Sequence, residues 1–318
     1  MRRRARWASS EGGLSGMRDF LVISRANIQI ASLPTALVGC ALAAGDLSEL
    51  WSVRVLLFVL LFFVVLTFAC NLNCLADADV DALFKKRMSE AVRSIGPGRI
   101  KAVLAAEAVV AIGLIAGLAW LERDVVFALG AGALGIAFVY SAPPLRIKKR
   151  GWLSPWPVIV GLYAVPPAGG WYLVRGSLGA PILIFAAGYA MLMEGITIVN
   201  TCEDHPEDES AGIRTLAHAL GIRRTLGLGA WLAGFGGTSA LAAMFYLGAE
   251  RGPQAPLALA AVGLLAAFFA ATVVSVVRAL RDLARSDDPA AECKARAKLM
   301  PVWFLKTRYP LLFIALLV

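Results

Sequence analysis

Apolar positions in this chain come in long unbroken blocks. Nine stand out, at about 20–44, 53–76, 101–121, 125–141, 155–174, 180–201, 224–249, 255–280 and 302–318. A helix needs roughly 20 apolar residues to cross hydrocarbon, and only the fourth and ninth blocks fall clearly short of that length. None has the period-two alternation of a barrel strand, so helices that satisfy their own backbone polar groups are the expected spans. The pattern predicts an all-α polytopic membrane protein of about nine transmembrane helices. Composition agrees, with 59% hydrophobic residues, 17% charged residues and a mean hydropathy of +0.71, where soluble domains carry about 25% charge.

The polar segments between the blocks are alternately long and short. The long ones, 77–100, 142–154, 202–223 and 281–301, follow the even-numbered blocks. A net charge of +9 could suggest nucleic acid, but its placement argues for topology. The amino-terminal tail and the long loops, with the block ends that adjoin them, hold 24 Lys and Arg, against 4 in and beside the short loops. This is the positive-inside bias, and it places the amino terminus and the long loops on the cytoplasmic side. No nucleic-acid partner is expected. Residues 1–17 include Arg2, Arg3, Arg4 and Arg6 but no apolar core, so they read as a basic cytoplasmic tail. Residues 18–318 read as one membrane domain. Five scattered Cys and two His leave no plausible zinc site.

Two copies of one short motif mark the inner ends of the second and sixth blocks. They are Asn73-x-x-x-Asp77-x-x-x-Asp81 and Asn200-x-x-x-Asp204-x-x-x-Asp208. A spacing of four predicts one helix face for each triplet. The chain has four Asn and eleven Asp, so a single copy would arise in roughly half a percent of shuffled chains, and two far more rarely. Six oxygen donors beside a greasy core suit a hard cation, and Mg²⁺ in turn suits phosphate. The duplication also suggests a pseudo-symmetric bundle. Between the motifs lies Tyr140-Ser-Ala-Pro-Pro-Leu-Arg146-Ile-Lys148-Lys149-Arg150. Its cations read either as a positive-inside anchor or as a phosphate clamp facing the carboxylates.

Several ionisable groups lie deeper. Glu194 is in the sixth block on one face with Thr197 and Thr201, and an ionisable group there is expensive. It reads as a residue facing a cavity, or as a hydrogen-bonded structural Glu. Arg25 in the first block either meets a substrate or snorkels to the inner surface. Glu107 reads as structural. Glu203, Glu207 and Glu209 read as solvated charge around the second motif. His205 has no evident partner for acid–base work.

The two Asn/Asp motifs, the Tyr140 segment and the Gly212-x-x-Thr215-Leu216 that follows the second motif together resemble the UbiA superfamily of intramembrane prenyltransferases. The resemblance implies a helical bundle around a central cavity. It implies an enzyme that uses Mg²⁺ to bind a prenyl diphosphate donor, ionises it to an allylic carbocation and passes the prenyl group to a lipophilic acceptor in the bilayer. By position, Asp77, Asp81, Asp204 and Asp208, with Asn73 and Asn200, would hold the metal. Lys85, Arg146 and Lys148 would meet the diphosphate, and the Tyr140 ring would face the cation. Where the family commonly has Arg-Pro-x-x-Ser-Gly after the first motif, this chain has Arg87-Met-Ser-Glu-Ala-Val-Arg93, which leaves the acceptor open. The same scaffold could also serve a membrane terpene cyclase. A transporter or a non-catalytic assembly factor are readings of another class. The abundance of Ala, Gly and Arg suits a prokaryotic cytoplasmic membrane, with the active site facing the cytoplasm.

Overall fold

The computed structural model describes residues 16–122, 124–249 and 256–318. The arginine run of the predicted tail lies outside the described residues. Among those residues regular structure is helical, apart from one isolated bridge between Arg150 and Arg214. Eight segments are long and apolar enough to cross a bilayer. They are α2 (Ala26–Ala43), α3 (Val53–Phe84), Gly151–Arg175, α5 (Pro97–Glu122), α8 (Ala180–Glu203), α11 (Ile222–Gly248), α12 (Pro256–Arg285) and Pro289–Leu317. The last combines α13 (Pro289–Arg296) with α14 (Met300–Leu317). A ninth helix, α6 (Asp124–Ser141), is apolar over the shorter stretch Ala128–Ser141, which matches the short fourth block.

Three local departures from the block pattern have physical causes. The fifth block is not a plain α-helix. Val158–Ala164 is π-helical before α7 (Val165–Arg175) begins. Pro166 and Pro167 have no amide hydrogen to donate to the carbonyls one turn back, so the α ladder cannot continue unchanged through them. The first long loop is itself helical. The helix α3 runs on to Phe84, and α4 (Lys86–Ile95) follows before Gly96, at φ 88°, turns the chain into Pro97. Arg25 is not inside the first span. It sits between a helix at residues 16–23 (α1) and α2, with φ 51°.

Lipid tails are as apolar as Leu, so span association relies on close packing rather than on burial from water. At the centre of the bundle α8 meets α11 backbone to backbone. A Cβ at Gly195 would lie 2.7 Å from the Ala233 amide nitrogen, and one at Gly236 would lie 2.5 Å from the Gly188 carbonyl oxygen. Only glycine permits that approach. Large side chains on the outward faces, such as Trp120, Leu257 and Leu264, are exposed and meet the bilayer.

Candidate active site

The first motif stays on one helix. Asn73, Asp77 and Asp81 share a face of α3. The second does not, contrary to the expectation of a single helix face. The helix α8 ends at Glu203, Asp204 is its cap, and Asp208 belongs to the short α9 (His205–Ser210). Pro206 explains the break, because it offers no amide hydrogen to the turn before it. The triplet nevertheless keeps its register. The Asp204 amide donates to the Asn200 carbonyl (3.0 Å), and the Asp208 amide donates to the Asp204 carbonyl (2.8 Å). Asn73, Asp77, Asp81, Asn200, Asp204 and Asp208 all line one cavity of about 600 Å³.

The connecting loops close around that end. The Gly151 amide donates to the Arg214 carbonyl (2.7 Å), tying the basic loop to the segment after the second motif. Gly212, at φ 66°, makes the turn that brings this segment back. Thr215 caps α10 (Leu216–Leu220), and its amide donates to Nδ1 of His218 (3.2 Å). His205 stacks on His218 at 4.0 Å between ring centroids, so its ring is occupied in packing.

The basic residues already hold carboxylates. Arg146 Nη2 donates to Asp77 Oδ1 (2.6 Å) and to the Ala76 carbonyl (2.7 Å), while Lys148 donates to Asp77 Oδ2. Across the cavity, Lys85 Nζ donates to Asp204 Oδ2 (2.9 Å), which also accepts from Asn200 Nδ2 (3.3 Å). The first motif's helix therefore ends on a lysine bound to the second motif. Among the described residues Asp81 and Asp208 have no salt-bridge partner. Burial, with Asp204 close by, pushes the Asp208 carboxyl up to about 7. Burial lowers the Lys148 pKa despite the opposing pull of Asp77. At Lys85 burial opposes the charge, but Asp204 outweighs it and the pKa is raised. Glu207 is not a solvated charge, as the pattern suggested. Its carboxylate accepts from Lys294 Nζ (2.9 Å) and it lines the cavity.

The donor chemistry of the two motifs fits a hard cation, since all six groups offer oxygen at one cavity end. Among the described residues no three carboxylate, imidazole or thiol groups stand close enough to hold an ion as they are. The carboxylates of Asp77 and Asp204 are instead neutralised by cations.

Away from the motifs the cavity is apolar and long. Its lining on α3 runs from Phe58 to Asp81, about 35 Å at 1.5 Å per residue. Tyr140, Arg25, Glu194 and Thr197 line it. Arg25 thus faces the protein interior rather than snorkelling, and its Nε has no hydrogen-bond partner among the described residues. Thr197 Oγ1 lies 2.9 Å from the Tyr163 hydroxyl. Glu107 is elsewhere, accepting from Asn71 Nδ2 (2.7 Å) between α3 and α5, as a structural residue would.

Sequence reasoning missed Arg308. It is 3% exposed in α14 and lines the same cavity. Its Nη1 donates to the Ala31 carbonyl (2.9 Å) and to Ser32 Oγ (3.1 Å), and its guanidinium lies over the Phe304 ring (4.3 Å). A basic residue inside the apolar 302–318 block was the available signal.

Comparison with known proteins agrees with this geometry. The model of the UbiA prenyltransferase family matches residues 32–286. A lycopene elongase/hydratase of Haloferax volcanii is 33% identical over 218 residues, covering 68% of this chain and 70% of the relative. A rice chlorophyll synthase is 29% identical over 161 residues, covering 48% of this chain and 41% of the relative. The structure of a UbiA homolog from Archaeoglobus fulgidus bound to GPP and Mg²⁺ superposes with a TM-score of 0.61 at 17% identity, covering 92% of this chain and 99% of that one. At that identity the likeness speaks to the fold. A membrane-spanning helical chain with paired Asn/Asp motifs over one apolar cavity, matched by the family's model along most of its length, belongs to the UbiA prenyltransferase family.

Proposed function

We propose that this enzyme transfers an isoprenyl group from a prenyl diphosphate to a neutral, extended lipophilic acceptor, with Mg²⁺ as cofactor and the active site facing the cytoplasm of a prokaryotic cell. One observation carries the reading. Six Asn/Asp oxygen donors meet Lys85 and Lys148 at one end of a long apolar cavity, with Arg146 bound to Asp77 behind them. Asp77, Asp81, Asp204 and Asp208, with the amide oxygens of Asn73 and Asn200, would hold Mg²⁺. When bound, the metal supplies positive charge that stabilises the departing diphosphate. Lys85, Arg146 and Lys148 exchange their carboxylate partners for diphosphate oxygens. The Tyr140 ring offers a face to the allylic cation. The apolar walls hold the prenyl chain and keep water from the cation.

A neutral acceptor suits the apolar length of the cavity and the state of its deepest cation. The Arg308 guanidinium is committed to a backbone carbonyl, a hydroxyl and an aromatic face. The length of the cavity suits a chain better than a compact ring, which is in keeping with relatives named for lycopene.

The test is to incubate purified protein with prenyl diphosphates of several lengths, with and without Mg²⁺, and to measure diphosphate release and product. Mg²⁺-dependent release coupled to acceptor prenylation is expected. Cyclised hydrocarbon formed from donor alone would favour a cyclase, and no release would overturn the reading.

A further inference from the structure

Glu194 is 3% exposed, it lines the cavity, and its Oε2 has no hydrogen-bond partner among the described residues. A carboxyl group without a partner in a membrane interior is costly, and such groups are retained mainly for function. Its surroundings make the lack of a partner informative. On α8 itself Thr197 binds the Met193 carbonyl (2.9 Å) and faces the Tyr163 hydroxyl. Arg308, a cation on α14 that lines the same cavity, directs its nitrogens to Ala31, Ser32 and Met193, and its cationic face to Phe304 and Tyr163. The cations at the mouth pair with Asp77 and Asp204. Tyr140, Tyr163 and Arg25 line the same cavity as Glu194, and none of them forms a hydrogen bond or ion pair with it among the described residues. The residue lies six positions before Asn200 on the same helix, so it sits about 9 Å deeper than the motif. That offset sets it in the apolar part of the cavity, away from the Asn/Asp end.

Resting on the prenyl-transfer reading above, we propose that Glu194 is the catalytic base that receives the proton when the prenylated acceptor cation is quenched. Heterolysis of the donor C–O bond sends its electron pair to the diphosphate. The π pair of an acceptor C=C then forms the new C–C bond, leaving positive charge on the acceptor's other alkene carbon. A neighbouring C–H bond breaks, its electron pair makes a new C=C, and its proton goes to Glu194. If water adds to the cation instead, a lone pair on its oxygen forms the C–O bond and the oxonium proton goes to the same carboxylate. Glu194 thus acts after ionisation, and ionisation does not need it.

Glu194→Gln keeps the shape and removes the base. The full-length protein in lipid nanodiscs is given Mg²⁺, dimethylallyl diphosphate and lycopene. Diphosphate release by Glu194→Gln should stay within about threefold of wild type, while prenylated product falls at least tenfold and dimethylallyl alcohol rises. Glu194→Asp should recover part of the coupling. A second measurement needs no acceptor. N,N-dimethyldodecylamine, whose ammonium mimics a carbocation on a long chain, should bind wild type at least tenfold more tightly than Glu194→Gln. Equal amine affinity overturns the proposal, as does unchanged coupling in Glu194→Gln or loss of release and coupling in parallel. Absence of any Mg²⁺-dependent release in wild type would instead overturn the prenyl-transfer reading itself.

Discussion

Asp77 and Asp81 are one helical turn apart, and their losses should differ in kind. Asp77 holds both Arg146 and Lys148, and Lys148 is buried. Asp77→Asn strands a buried ammonium. It should lower metal-free stability by about 1–3 kcal/mol and reduce diphosphate release at least 100-fold. Asp81 has no such partner among the described residues, so Asp81→Asn should reduce release similarly while leaving the unfolding temperature unchanged. Thermal unfolding in detergent beside a release assay separates the two. Asp208 predicts a pH dependence. With its carboxyl pushed up to about 7 by burial and by Asp204, it is protonated and neutral at pH 6 and charged at pH 8. Mg²⁺ affinity should therefore rise with pH through about 7, and Asp208→Asn should flatten that rise. Mg²⁺ titrations followed by tryptophan fluorescence at the two pH values check it.

At the scale of elements, the α8–α11 seam positions the second motif. Asn200 lies five residues beyond Gly195, where the backbones touch. Gly195→Ala sets a Cβ 2.7 Å from both the Ala233 nitrogen and the Gly229 carbonyl oxygen, and backbone cannot yield as a side chain tip can. Overpacking of this kind costs about 1–3 kcal/mol. The variant should unfold several degrees lower, and the loss should be similar with and without Mg²⁺. Gly113 has open space where its Cβ would go. Gly113→Ala should leave the unfolding temperature in place or raise it slightly.

At the scale of the molecule, the cavity runs nearly the length of α3, so its far end should set the longest donor accepted. Gly169 faces Phe58 there, with room for a Cβ at 3.5 Å. Gly169→Trp should plug that end and shift the preference toward short prenyl diphosphates at least tenfold, with dimethylallyl diphosphate turnover nearly unchanged. Competition between short and long donors reads this directly. Both motifs should also face the same side. Cysteines placed at Asp79 and at Glu209 in otherwise active protein should react with an impermeant thiol reagent from the cytoplasmic side alone.

Much of this protein is decided by local pattern. Apolar runs near the thickness of a bilayer leave helices as the only spans, and the short fourth run reappears as the short α6. The spacing of four in Asn73, Asp77 and Asp81 is a helix face wherever that helix is placed. Tertiary structure decided the rest, because pairings across distant segments leave no mark in either segment alone. Nothing near Lys85 announces that its partner is Asp204, more than a hundred residues away, and nothing in the run 146–150 says that two of its cations share Asp77. The break at Pro206 was readable, but the persistence of the Asn200–Asp204–Asp208 register through it depends on backbone geometry that packing holds in place. Arg308 shows the limit most plainly. A charge in an apolar block signals a special environment, yet only the approach of α2 and Phe304 shows that its charge is already satisfied. By the same comparison Glu194, an ionisable group in a block of similar character, has its Oε2 left without a hydrogen-bond partner among the described residues.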